Sequence, residues 1–191
     1  MKSIYQKTAR AVQHGFTLVE LLIVVIILAI LAAIVIPQFS SSTTDAKEAA
    51  LKANLAALRS AIELYKVQHK GKYPGDTVAS GLTCTVGAAG TGDAGSEAAL
   101  KSQLSLYSNV DGKTCTGADP TTTLGPYLRK GIPADPLTGT VATVTVQTTG
   151  VPISAPAAGV TTGGWLYDTK SGQIMVNYGG NDSKNVAYST Y

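Results

Sequence analysis

Residues 16–36, FTLVELLIVVIILAILAAIVI, constrain this chain more than any other stretch. From Leu21 to Ile36 every residue is apolar. A helix of this length spans roughly 30 Å, the thickness of a bilayer's hydrocarbon core. Inside lipid a single segment can satisfy its backbone polar groups only as a helix, which predicts helix here despite the many β-branched residues. The run is longer than the apolar region of a secretory signal, and no A-x-A cleavage site follows it. The simplest reading is a single-pass anchor.

Glu20 makes that reading incomplete. A carboxylate in an apolar span costs several kcal/mol at mid-helix and less near its end, so it needs a partner. No Lys, Arg or His lies between Phe16 and Lys47. The partner is then the lipid interface, another protein, or a charge created later. A new amino terminus at Phe16, left by cleavage after Gly15, is such a charge.

Residues 15–37, GFTLVELLIVVIILAILAAIVIP, resemble the N-terminal segment of type IV prepilins and of type II secretion pseudopilins. The matching features are Gly15, Phe16, Thr17, Glu20 and Pro37. The resemblance implies cleavage by a prepilin peptidase between Gly15 and Phe16, N-methylation of Phe16, and assembly of identical subunits into a helical filament. It further implies that Glu20 pairs with the Phe16 ammonium of a neighbouring subunit, an arrangement far cheaper in lipid than a lone carboxylate. Pro37 removes one backbone hydrogen bond and favours a helix kink. One departure is Ala29, where relatives often carry Gly. Ala is about 1 kcal/mol better than Gly within a helix, which weakens the case for local melting between Ala29 and Pro37.

Charge divides the chain at the same place. The net charge is +3, but Lys2, Lys7 and Arg10 precede Gly15, whereas all 12 acidic residues follow it. Removing residues 1–15 leaves a neutral chain. Basic residues before a span mark the cytoplasmic side, so residues 1–15 read as a cytoplasmic leader and the C-terminal part as exported. The resemblance makes this a bacterial inner-membrane protein with a periplasmic head, partnered by the peptidase/methyltransferase and an assembly platform. The exported part holds no basic cluster, so no nucleic-acid partner is expected. Both cysteines, Cys84 and Cys115, are exported. In an oxidising compartment such a pair reads as a disulfide, the alternative being two buried or reactive thiols. With His69 remote, they do not supply a zinc ligand set.

Beyond Pro37 the pattern turns amphipathic. Leu51, Leu55, Leu58, Ile62 and Tyr65 recur at spacings of four and three, one apolar stripe suited to a single packing face. Ala49, Ala53, Ala56 and Ala57 leave a thin surface beside it. Gly71 and Pro74 end this helix at about His69. Residues 57–76, ALRSAIELYKVQHKGKYPGD, are similar to the helix end and turn of major pseudopilins, with Tyr73 packed beside the helix. Residues 75–126 form a long connector holding both cysteines and a short helix over 96–107 capped by Ser96. GPYLRKGIPADPLTG resembles the pseudopilin stretch leading into the sheet, with Asp135-Pro136 as a turn. Residues 140–148 alternate as a strand, and 164–168 with 173–178 form a hairpin with one face buried through Trp165 and Tyr167.

The expected organisation is therefore a leader (1–15), a transmembrane or filament-core helix (16–37), an amphipathic helix (38–70) and a globular β-sheet head (71–191). The fold class is α+β and pilin-like: a long N-terminal helix packed on a small antiparallel sheet. Major pseudopilins often hold calcium in a C-terminal loop. Here Asp182 is the one acidic candidate, and a calcium loop gathers several oxygen ligands, so the tail reads as a polar turn. No other cofactor is expected. His14 leaves with the leader, and no nucleophile, metal or nucleotide constellation suggests an enzyme. The functions in contention are a surface pilin and a type II secretion pseudopilin. A competence pseudopilin for DNA uptake and a membrane-anchored periplasmic binding protein are the alternatives.

Overall fold

The computed structural model describes residues 16–139 and 142–191, with backbone alone for 36–41. The leader with His14 and Gly15, residues Thr140 and Val141 of the expected strand, and the side chain of Pro37 lie outside the described residues. The chain forms two compact units that divide between Thr43 and Thr44. Helix α1, Leu18–Gln68, contributes to both.

In the first unit α1 is apolar from Leu18 to Val35, and none of these residues is buried. In the second unit one stripe of α1 is buried. Leu51, Leu55, Leu58, Ile62 and Tyr65 are each at most 1% exposed. The helix stops where Lys70 and Gly71 turn left-handed, at φ 55° and 79°, and Gly71 N–H closes back on Lys66 O at 3.0 Å.

Facing the stripe are a second helix and a small sheet. Helix α2, Glu97–Ser105, is capped by Ser96, whose hydroxyl accepts from Ala99 N at 3.1 Å. It contributes Leu100 and Leu104 to the core. Strands β1 (Tyr107–Ser108) and β2 (Thr114–Cys115) pair antiparallel within the connector. Strands β3 (Val144–Gln147), β4 (Trp165–Asp168) and β5 (Ile174–Val176) form the main sheet with β4 in the middle. Trp165, Tyr167, Ile174 and Val176 close the core over α1. The polar tips of the two large aromatics are satisfied: Trp165 Nε1–H donates to Pro133 O at 2.8 Å and the Tyr167 hydroxyl to Pro74 O at 2.9 Å.

Two details differ from expectation. The β4–β5 hairpin is antiparallel as expected, but β3 runs parallel to β4, so the sheet is mixed. A parallel pair needs a crossover of a dozen or more residues, and the Pro/Gly/Ala-rich segment 148–164 supplies one. As the central strand, β4 is buried at all four residues rather than on one face. Asp168 tolerates this because its carboxylate accepts from Lys170 N, Ser171 N, Thr149 N, Thr149 Oγ1 and Gly150 N at 2.8–3.1 Å. Burial works to raise its pKa, but the donors of Ser171, Gly150, Lys170 and Thr149 win and hold it at about 2.

The connector is ordered by cross-links. Cys84 and Cys115 form a disulfide with their Cα atoms 5.9 Å apart. Buried Gln103 accepts from Gly75 N at 2.6 Å and donates to Thr77 O and Gly112 O at 3.0 and 2.9 Å, tying α2 to the connector on both sides of it in the chain. Asp119, also buried, takes the N–H and hydroxyl of both Thr85 and Thr121.

Replacing Cys84 and Cys115 together by Ser is expected to cost about 3 kcal/mol, in keeping with a closed loop of this size. Thermal unfolding of the full chain in detergent measures it. Asp168→Ala strands several loop donors at once and is expected to cost about 3 kcal/mol or more in the same assay, with Asp168→Asn intermediate. Because the folded pKa of Asp168 lies below its unfolded value, its contribution is complete above about pH 4 and fades as pH falls towards 2. Acid titration of the wild-type melt against Asp168→Asn isolates that slope.

Candidate processing and assembly segment

The segment is built on the first turns of α1. Thr17 stands just before the helix and acts as its N-cap. Its hydroxyl accepts from Glu20 N at 3.2 Å. In return the Glu20 carboxylate accepts from Thr17 N at 2.9 Å and from the Thr17 hydroxyl at 2.7 Å. This is a reciprocal capping box: Thr at the cap position, Glu three residues on, and an apolar run behind. It satisfies helix N–H groups that have no intrahelical acceptor, and it sets a negative charge at the positive end of the helix dipole. Glu20 therefore has a partner inside its own span, and that partner is a neutral one. A search restricted to cations overlooks it, although the T-x-x-E spacing is visible in the sequence.

The other expected site residues fall as follows. Phe16 is exposed (83%) immediately ahead of Thr17, and the facing residue of the expected cut, Gly15, lies outside the described residues. Ala29 lies within α1, with helix on both sides. Pro37 is also within the α1 range. Leu18–Val35 presents apolar side chains around the whole circumference, and its length and composition suit a membrane span. In the second unit the outward side of α1 carries exposed Ala49, Ala53, Ala56 and Ala57, followed by exposed Leu64 and Val67.

Asp182 does not gather a metal ligand set. Its Oδ1 accepts from Lys184 N at 2.9 Å and Val186 N at 2.7 Å, and its Oδ2 accepts from the Tyr191 hydroxyl. The Tyr191 hydroxyl and the Val186 N–H keep this carboxyl below its ordinary pKa. Among the described residues no group of three or more His, Cys, Asp or Glu side chains converges on a point. The tail is instead fastened to α1. Buried Glu48 accepts from Ser183 N at 2.7 Å, the Ser183 hydroxyl at 3.1 Å and the Tyr188 hydroxyl at 3.2 Å. Lys52 Nζ lies 4.3 Å from the Tyr191 ring centroid, and Arg59 donates to the backbone oxygens of Ile174 and Tyr191. Nothing in the sequence pattern marked Glu48, an acidic residue on a polar helix face, as the tail's anchor. A cleft of about 470 Å³ opens beside Arg59, Glu63, Ile174 and Tyr191.

Comparison with known proteins points the same way. The family described as the prokaryotic N-terminal methylation motif matches residues 10–36. The chain is 44% identical over 57 residues to the type IV narrow pilus major component PilA5 of Thermus thermophilus, covering 30% of this chain and 49% of the relative. It is 43% identical over 60 residues to the type II secretion system core protein G of Pseudomonas aeruginosa, covering 31% of this chain and 42% of the relative. The match thus spans half or less of either relative's length. No solved structure matches the chain. The methylation motif and both relatives support membership of this chain in the type IV prepilin and pseudopilin family.

Proposed function

We propose that the chain is a structural subunit of a type IV pilus-like filament. A prepilin peptidase cuts between Gly15 and Phe16, Phe16 is N-methylated, and the subunit waits in the inner membrane as a single span with its head in the periplasm. An assembly platform then adds it to the filament through residues 16–37. The observation that carries this reading is the helix from Leu18 to Val35: apolar on every side, unburied, and charged only at its first turn. Such a surface requires lipid or the same helix from neighbouring copies around it. The peptidase/methyltransferase, the platform and identical subunits are the partners this reading requires. The reading covers both a surface pilin and a secretion pseudopilin, and the two relatives divide evenly between those uses.

In this reading Glu20 has two successive partners. Before assembly the carboxylate is held by Thr17. On assembly it takes the Phe16 ammonium of a neighbour, which replaces neutral donors by a charge-assisted bond. Pro37 favours a kink in the helix, and Ala29 keeps the stretch before it stiff.

Glu20→Ala is expected to leave membrane insertion intact and reduce filament yield at least tenfold, read from sheared filaments against membrane-fraction subunit. Normal filament yield from that variant would count against the exchange of partners. Thr17→Ala, which removes the cap at about 1 kcal/mol, is expected to lower yield less than Glu20→Ala, and Thr17→Ser to restore it. Intact-mass measurement of purified filaments is expected to show a chain beginning at N-methyl-Phe16, and an uncut chain from Met1 would refute the processing step. Electron microscopy of sheared cells separates the two uses, since a surface pilus yields long filaments and a secretion pseudopilus does not.

A further inference from the structure

His69 occupies an unusual place for a titratable group. It lies one residue beyond α1, is 1% exposed, and lies flat on Tyr65 with ring centroids 3.6 Å apart and planes 4° from parallel. Tyr127, from the segment after β2, meets it edge-on at 6.0 Å. Both ring nitrogens are engaged. Nδ1 is 2.8 Å from Tyr65 O, a carbonyl that can only accept, so Nδ1 carries the hydrogen. Nε2 lies 3.0 Å from the Ser108 hydroxyl of β1, and in the neutral ring it accepts from that hydroxyl. The Tyr65 carbonyl thus fixes the tautomer of the neutral ring, and burial at 1% exposure favours that neutral form over the charged one.

Ser108 has little freedom to answer a change in that ring. Its N–H and C=O are paired with Leu124 at 2.8 and 3.1 Å, so its backbone is fixed. The next link outward is the Tyr127 hydroxyl, which donates to Gln68 Oε1 at 2.6 Å. The last turn of α1, the β1–β2 lobe and the 124–127 segment therefore meet at one imidazole.

We propose that this joint is an acid-sensitive latch, closed by neutral His69 and opened when Nε2 takes a proton. A protonated Nε2 becomes a donor, and the Ser108 hydroxyl must turn its hydrogen away from the ring, towards the Tyr127 side. Among the described residues no carboxylate pairs with the ring. A cavity of about 240 Å³ beside the ring is lined by Lys70, Lys72, Thr77, Val110 and Asp111. Asp111 is the carboxylate of this group, and it is already bound to Lys70 at 2.9 Å. Lys72 is bound to Asp76 at 3.3 Å, and Asp76 also holds Lys170. On the α1 side the charged neighbour Lys66 is bound to Glu63 and the Tyr73 hydroxyl. The remaining groups facing the ring, Tyr65 and Tyr127, are neutral phenols. Burial displaces the His69 pKa downward, outweighing the backbone groups of Tyr65 and Asn109 that favour the charged ring.

The sign follows from linkage. A histidine whose folded pKa is depressed contributes fully above its unfolded value of about 6.5, and the contribution is lost as pH falls below that. Opening is local, because α2 still holds Gly75 and Thr77 through Gln103 and keeps leucines 100 and 104 in the core.

Hydrogen–deuterium exchange of the full chain in detergent tests this, corrected for intrinsic rates and compared at about pH 7.5 and about pH 5. Residues 107–128 are expected to lose protection about tenfold or more at the lower pH, while β3–β5 change little. His69→Gln, which keeps hydrogen-bonding capacity but cannot take the proton, is expected to abolish the difference. Equal protection of the wild type at both pH values, or the same acid-induced loss in His69→Gln, overturns the latch. Should His69→Gln fail to fold, imidazole-labelled wild-type protein gives the answer by NMR. A His69 midpoint below about 6.5 that coincides with opening supports the latch, and a midpoint at or above that value refutes it.

Discussion

A helix surface that is apolar on every side cannot rest in water, and Leu18–Val35 is such a surface. Everything about the chain's N-terminal unit follows from what covers it. In lipid the cover is acyl chains; in the proposed filament it is the same segment of other copies. The two covers are nearly equivalent to a Leu or Ile side chain, because hydrocarbon is as apolar as the residues themselves. Transfer between them is therefore not driven by the apolar face. In the proposed assembly it falls to the polar groups at the helix start, where a small difference in hydrogen bonding is not swamped by hydrophobic burial. The Thr17–Glu20 box occupies this position. A carboxylate held by two neutral donors is stable enough to wait and weak enough to exchange.

The second unit solves a different problem. Its strands are two to four residues long, and most of its length is loop. Loop backbone inside a compact domain needs acceptors, and here buried carboxylates supply them. Asp119, Asp135 and Asp168 each accept backbone N–H groups together with a Thr hydroxyl, and Glu48 does the same with Ser183 and Tyr188. The abundance of Thr, Ser and Gly in a chain with little charge is explained by this use. Small residues bring the N–H within reach, and the hydroxyl adds a second donor. The same logic accounts for Asp182, whose oxygens are consumed by the tail's own turn.

Local features were legible in the sequence because they rest on neighbours in the chain. The apolar span, the Leu51–Tyr65 stripe, the Ser96 cap and the β4–β5 hairpin are all set by spacings of two to four residues. The cysteine pair was legible because there were two cysteines in one compartment. What escaped was non-local or misframed. The parallel pairing of β3 depends on where residues 148–164 lead the chain, and no residue pattern within β3 records that. Glu20 was read as a charge lacking a counter-charge, when a hydroxyl and an N–H three residues away suffice. His69 was legible only as the end of the helix, because the residues that bury it, Ser108 and Tyr127, arrive from 39 and 58 positions further along the chain.

Charge balance bears on how such subunits can accumulate. Without residues 1–15 the chain has 12 basic and 12 acidic residues. Many of these are matched internally, as in Lys70–Asp111, Lys101–Glu97 and the two lysines on Asp76. A polymer of identical charged units accumulates like charge with every subunit added, and that repulsion grows with length. A neutral subunit does not, so in the proposed filament growth is opposed by no accumulating field and specificity can reside in short-range contacts. In the proposed processing, the three cations of residues 1–15 orient the precursor in the membrane, and the cut at Gly15 removes them before packing begins. The event that exposes the Phe16 ammonium is thus also the one that neutralises the chain, leaving Glu20 and the new terminus as the two charges placed inside the apolar segment.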